Sequence, residues 1–220
     1  MSKKINYGFF LIAFWAYLPA FSQMQFLSKV PLKPVIDFGF LQFNNPPSGY
    51  QLDFLGSRNF NIALLTTTKL GQSGISVHTG VGFGTDNYVF QEKYLLQTNL
   101  GNVNFIRTTD TEKIKLSANY VDIPFELRWV SGMGRKVFRI TAGAKVGFLF
   151  DTHLKIVQND QTSKIKRDLY VQPIRYGVYG RLGYNWYNLY FYYSLSELFQ
   201  KDRTTIALQP FTIGLSLNTF

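Results

Sequence analysis

Few side chains in this 220-residue sequence have the chemistry for catalysis. There are two histidines and no cysteine, which excludes a disulfide framework, a thiolate metal site and a cysteine nucleophile. His78 lies between Ser76 and Gly80 in a run that also carries Asp86, and Glu126 sits in a second run of similar pattern. A serine, a histidine and a carboxylate are the parts of an acyl-transfer site such as a lipid hydrolase uses. Shared parity along a strand does not make a triad, and inward polar residues in a narrow interior more often form a hydrogen-bonded ion network. His153 has no comparable partner pattern, and no phosphate loop, H-E-x-x-H, calcium loop or dinucleotide fingerprint occurs. The expectation is a non-enzymatic protein without a catalytic, metal or cofactor site.

Two charged sets remain. Asp122, Glu126, Arg128, Arg139, Lys145, Arg175 and Arg181 all fall at alternate positions of apolar segments, as in "YVDIPFELRW" at 120–129. Such a set is either a substrate or ion path or an internal salt-bridge network, and the network is the expectation where the bore is narrow. Lys164, Lys166 and Arg167, with Lys155 nearby, form a basic cluster that could meet lipopolysaccharide phosphates or an acidic partner, or lie solvated on a loop.

These residues need elements to position them, and the period of the chain is two almost throughout. Alternating runs fall near 35–43, 59–70, 75–90, 116–130, 137–151, 172–185, 188–195 and 205–217, each near or above the length that crosses a bilayer as a tilted strand. Three connections are tight turns, at 71–74, 131–136 and 186–187; the others, at 44–58, 91–115, 152–171 and 196–204, are long and polar. That segregation of loop lengths predicts an all-β fold, an eight-stranded antiparallel transmembrane β-barrel with short periplasmic turns and long extracellular loops. A soluble sandwich has no reason to sort its loops this way.

The N-terminus agrees. Lys3 and Lys4 precede the apolar run 8–18, followed by Ala20-Phe21-Ser22, which reads as a cleaved signal peptide over 1–22 with the barrel domain over 23–220. The run is short for a spanning helix. Of the 23 basic residues, 21 remain after cleavage against 13 acidic, so the exported domain stays basic; an exported barrel is not expected to meet nucleic acid.

Facing follows from parity. Phe138, Ile140, Ala142, Ala144, Val146, Phe148 and Phe150 point one way, and Arg139, Thr141, Gly143, Lys145 and Gly147 the other. A charge on the lipid face near the midplane costs about 2–4 kcal/mol for Arg or Lys, so the charged face must be the lumen. The glycines share that face and make room for long Arg, Tyr and Glu side chains, which predicts a filled interior. Pro124 removes a ladder donor and predicts a bulge or a break in pairing. Aromatic girdles are expected at Trp129, Phe138, Tyr184, Trp186 and Tyr187 on one side and Phe60, Phe148, Phe150 and Tyr193 on the other. Phe220 ends the chain as many outer-membrane barrels end, for their assembly machinery, although it is out of phase with Phe211 to Leu217.

"GVGFGTDNYVF" at 80–90, "NYVDIPFELRW" at 119–129, "FRITAGAKVGFLF" at 138–150, "PIRYGVYGRLGYNWYNLYFYYSLSELF" at 173–199 and the closing "PFTIGLSL" resemble the PorT-like outer-membrane β-barrel proteins of Bacteroidota. The resemblance covers most of the mature sequence and implies residence in the outer membrane of a Gram-negative bacterium. The eponymous member is implicated in type IX secretion; its N-terminal region differs from "PLKPVIDFGFLQF" here. The expected role is structural or accessory, binding partner proteins in a secretion or uptake complex. The alternatives are a small channel or transporter and, less favoured, a lipid-modifying enzyme. Expected partners are outer-membrane lipid and lipopolysaccharide, the barrel assembly machinery and proteins of such a complex.

Overall fold

The computed structural model describes residues 32–99, 101–108, 113–132, 137–158, 161–166, 169–185 and 187–218. The signal segment, Arg167, Trp186 and Phe220 lie outside them. The strands are β1 (Lys33–Asn44), β2 (Arg58–Lys69), β3 (Ile75–Tyr88), β4 (Tyr94–Asn99), β5 (Asn102–Arg107), β6 (Lys113–Val130), β7 (Phe138–Gln158), β8 (Gln161–Ile165), β9 (Ile174–Tyr184), β10 (Tyr187–Ser194) and β11 (Gln209–Asn218).

Eight of them pair in the cyclic order β1-β2-β3-β6-β7-β9-β10-β11, with β11 returning to β1 and every pairing antiparallel. The eight alternating runs of the sequence are these eight strands. What periodicity did not separate are β4, β5 and β8. β4 and β5 form their own hairpin inside the second long connection, and β8 pairs with the last residues of β7 inside the third.

The tight connections have local causes. Gly71 and Gly74 take positive φ between β2 and β3, where a Cβ would be strained, and Ser73 Oγ donates to Leu70 O at 2.7 Å. Between β9 and β10, Asn185 takes φ 59°, a conformation its short polar side chain tolerates. Ser131 N donates to Phe138 O at 3.0 Å where β6 turns into β7.

The register shift lies elsewhere than at Pro124. It falls between Asn119 and Tyr120, where β7 carries one extra residue. Opposite Pro124, pairing with β3 lapses between Thr79 and Gly82 without a change of register, and Thr79 Oγ1 donates to Pro124 O at 3.0 Å.

Parity sorts the faces as the alternation requires. Arg128 is 2 % exposed, whereas the next residue, Trp129, is 43 % exposed. Phe38, Phe60, Phe83, Phe125, Phe138, Leu182, Leu189 and Leu215 join a continuous apolar outer belt. An apolar surface of that extent marks contact with lipid or another protein.

The long connections are not merely polar. Leu52, Phe90, Leu96, Val103, Leu169, Val171, Leu198 and Phe199 pack against Leu41, Phe43, Tyr88, Leu116 and Leu154 in one buried apolar cluster at the long-loop end. Edge-to-face contacts of Phe105 with Tyr50, Phe90, Tyr94 and Phe199 tie the β4–β5 hairpin into it. The interior of the ring is therefore capped by its own loops.

Candidate functional site: a buried ion network below an apolar cap

Below the cap, the inward residues of the strands form a charged network. Arg175, from β9, donates Nη1 to Asp86 Oδ2 at 2.5 Å, and Nε and Nη2 to the two oxygens of Asp122 at 3.2 and 2.7 Å. Lys145 stands on the other side of Asp122 at 3.5 Å and also donates to Asn61 Oδ1 at 3.3 Å. Closer to the short turns, Arg181 makes a two-point contact with Asp37, both bonds 3.0 Å, and donates Nη1 to Glu126 Oε2 at 2.5 Å. Glu126 further accepts from Arg128 Nη2 at 2.6 Å and from the Tyr179 hydroxyl at 3.0 Å. Paired, forked contacts of this kind are the strong form of an ion pair, and they satisfy lone pairs that burial would otherwise leave costly.

Tyrosines complete the packing. Arg175 lies 4.0 Å from the ring centre of Tyr120, Lys145 4.3 Å from Tyr192 and Arg181 4.7 Å from Tyr179, so each cation is held against an aromatic face. Glycine makes the room. In the ladder, Gly147 sits directly between Asp122 and Arg175. A Cβ there would overlap the Asp122 carboxylate and come 2.9 Å from Arg175 Cγ and Nε. At Gly84 it would lie 2.7 Å from Asp122 Oδ2. A small cavity in the middle of the ring, between Asp37, Asp122, Lys145 and Arg181, is about 20 Å³, room for about one water.

Of the seven charged residues singled out in the sequence, the structure brings six into this network. Arg139 is buried but stands apart, donating to Asn185 O and, at 3.1 Å, to Asn218 Oδ1. Two acids outside that set belong in it: Asp86, which the sequence placed beside His78 but not among the network charges, and Asp37, which it did not single out. With them the buried interior holds, among the described residues, five cations, Arg128, Arg139, Lys145, Arg175 and Arg181, against four carboxylates.

The serine–histidine–acid reading meets a different geometry. Ser76 Oγ lies 2.8 Å from His78 Nε2, but the other ring nitrogen faces the Thr67 hydroxyl at 3.2 Å, in the position a triad gives to its carboxylate. Glu126 is the ladder partner of His78, yet its oxygens are taken up by Arg128, Arg181 and Tyr179. Among the described residues no group of three or more His, Cys, Asp or Glu side chains could hold a metal ion.

At the long-loop end the basic cluster divides. Lys166 pairs with Asp151 at 3.1 Å, and His153 Nδ1 lies 3.0 Å from the same carboxylate. The bond to His153 above all, and that to Lys166, hold the Asp151 carboxyl below its usual range. Lys164 instead faces Lys155, which faces Lys115, in one row across β8, β7 and β6. Burial first, then these like-charged neighbours, push the Lys115 ammonium below its ordinary pKa.

The model for the outer membrane protein beta-barrel domain matches residues 32–200. The chain belongs to that family. An outer-membrane setting accounts for the apolar belt and the charged interior together. Among solved structures, a triple mutant of the Rhodopseudomonas blastica porin is similar over 86 % of this chain and 99 % of that chain, at 9 % identity and TM-score 0.20. A second mutant of the same porin gives 9 % identity and TM-score 0.21 over the same shares. Similarity at that level carries no argument about this protein. No curated protein matches the chain.

Proposed function

We propose that the ring is a closed transmembrane barrel of a Gram-negative outer membrane, short turns in the periplasm and long loops outside. In this reading it is a non-enzymatic accessory protein that binds partner proteins, in a secretion or uptake complex, and does not conduct. The observation that carries the reading is the filled interior: an apolar cap of loops above a network in which four carboxylates bind four of the five buried cations, with a small cavity of about 20 Å³ between them. A protein that binds and transfers nothing through its bore must act through its two ends. The resemblance to PorT-like proteins supports a secretion complex as the setting.

The test has two arms. Purified protein in planar bilayers is expected to give no stable, ion-selective conductance; a reproducible one would replace this reading with the channel. In-cell crosslinking and affinity purification of the tagged protein is expected to recover a component of a secretion or uptake complex. A barrel that always purifies alone would remove the accessory role.

A further inference from the structure

We propose that the cavity at the short-turn end of the ring is a docking site for an acidic, carboxylate-bearing peptide segment of a partner protein. This rests on the accessory role above and names the chemistry of the partner and the place where it binds. The cavity is about 790 Å³, against about 20 Å³ at the middle of the ring, and lies between the β2–β3 and β6–β7 turns. That is the size of a ligand site.

Its lining is of one sign. Lys33, Lys69, Arg128 and Arg139 face it, and among the described residues no Asp or Glu does. The described residues of the three tight connections, 70–74, 131–132, 137 and 185, contain no acid either. The carboxylates Asp37 and Glu126 are bound within the network, Asp37 by Arg181 and Glu126 by both Arg181 and the lining residue Arg128. Arg139 spends its described hydrogen bonds on two neutral acceptors and so brings its full charge to the cavity. Cations gathered in a low-dielectric recess raise the local concentration of an anion and speed its arrival.

The size of the cavity favours a chain over a single anion. The four cations come from β1, β2, β6 and β7, which with β3 are five consecutive strands of the ring. Four inter-strand steps of about 4.8 Å make an arc of roughly 19 Å. The ring curves these positions toward one another, so the arc is a contour and not the separation of the charges; it is the volume of about 790 Å³, far more than one phosphate or carboxylate fills, that suits a peptide carrying several carboxylates. Within the arc, Lys69, Ser76 and Arg128 are in direct cross-strand register, so cation, hydroxyl and cation follow one another. Ile75 and Val137 give the segment apolar ground between them.

The experiment uses the full chain in detergent micelles and a fluorescein-labelled peptide of alternating Glu and Ser, read by anisotropy, beside the same peptide with Gln for Glu. The Glu peptide is expected to bind and the Gln peptide not. Binding should weaken steeply with salt and fall at least tenfold in the double variant K33Q/K69Q, whose rim positions leave the buried network intact. R139Q should weaken it as well, and K164Q at the opposite end should not. Equal affinity in wild type and K33Q/K69Q would overturn the site, as would Glu and Gln peptides that bind alike. If pyrophosphate or phosphatidylglycerol displaced the Glu peptide at lower concentration than unlabelled Glu peptide does, the site would belong to a phosphate ligand and the peptide would be wrong. Partners crosslinked equally by wild type and K33Q/K69Q, with no peptide bound, would overturn this site and leave the accessory role standing. Peptide bound by a barrel that purifies alone in cells would support the site and overturn that role.

Discussion

Replacing Glu126 by alanine should destabilise the protein by about 3–5 kcal/mol, the usual penalty for removing one partner of a buried ion pair. The carboxylate is fully buried and is shared by Arg181, Arg128 and Tyr179. Arg181 would keep its two bonds to Asp37, so most of the penalty falls on Arg128, whose carboxylate partner Glu126 is. The buried charge would move from five cations against four carboxylates to five against three. At about 1.4 kcal/mol per factor of ten, the unfolding equilibrium should shift by at least about two decades. Urea unfolding in liposomes, followed by tryptophan fluorescence, reads this as a lower midpoint at unchanged slope. The decisive control is E126L/R128M, which removes both charges and should recover at least half the loss. An E126A midpoint within about 1 kcal/mol of wild type, or a double variant no better than the single one, would refute the argument that uncompensated charge sets the penalty.

Other expectations can be checked alongside. G147A should lower stability by about 1–3 kcal/mol through overpacking against Asp122 and Arg175, whereas G132A, whose Cβ would meet only Val137 at 3.8 Å, should change the same urea midpoint little. The folded carboxyl of Asp151 is depressed, so its contribution is complete above the unfolded value near 3.9 and is lost as pH falls through the lower folded value. Hydrogen-exchange protection of the β7–β8 hairpin, corrected for the intrinsic rate at each pH, should therefore fall as pH drops below about 4, and D151N should abolish that step. Lys155 stands between Lys115 and Lys164, so K155E should stabilise the β6–β7–β8 extension by about 0.2–1 kcal/mol in protease-protection assays. If the same row meets lipopolysaccharide phosphates, K115Q/K155Q/K164Q cells should become more sensitive to detergent; unchanged sensitivity would remove that contact.

The eight strands were legible because a membrane protein cannot relax its alternation. A single misplaced Arg in lipid costs more than most packing errors, so inside and outside are written residue by residue, as between Arg128 and Trp129. The network was legible in kind and incomplete in membership. Five buried cations against Asp122 and Glu126 alone would leave three charges uncompensated, and that imbalance was the signal for more carboxylates. Asp37 holds the inward parity of Val35 and Leu41, and Asp86 that of Gly84 and His78, so parity with charge balance would have found both. The cap was not legible. Its residues come singly from loops, Leu52 and Phe90 from one pair of connections and Leu169 and Phe199 from another, with no period to join them. Nor was β8, five residues without a hydrophobic face, whose existence depends on the overhang of β7.

The ion network also bears on how the chain closes. Arg181 and Asp37 are 144 residues apart and Arg175 and Asp86 are 89 apart, so neither contact exists until the C-terminal hairpins have come round to the first strands. Until then the guanidiniums of β9 can reach only the carboxylates of β6, Asp122 and Glu126, and lack Asp86 and Asp37, so a half-formed sheet holding them in lipid would carry part of their desolvation penalty. Partly assembled states that lack the Asp37 and Asp86 contacts are thereby expected to be less stable than the finished ring. Buried charges that add little net stability to the finished protein would thus bear on its biogenesis, as a condition that only complete strand pairing satisfies in full.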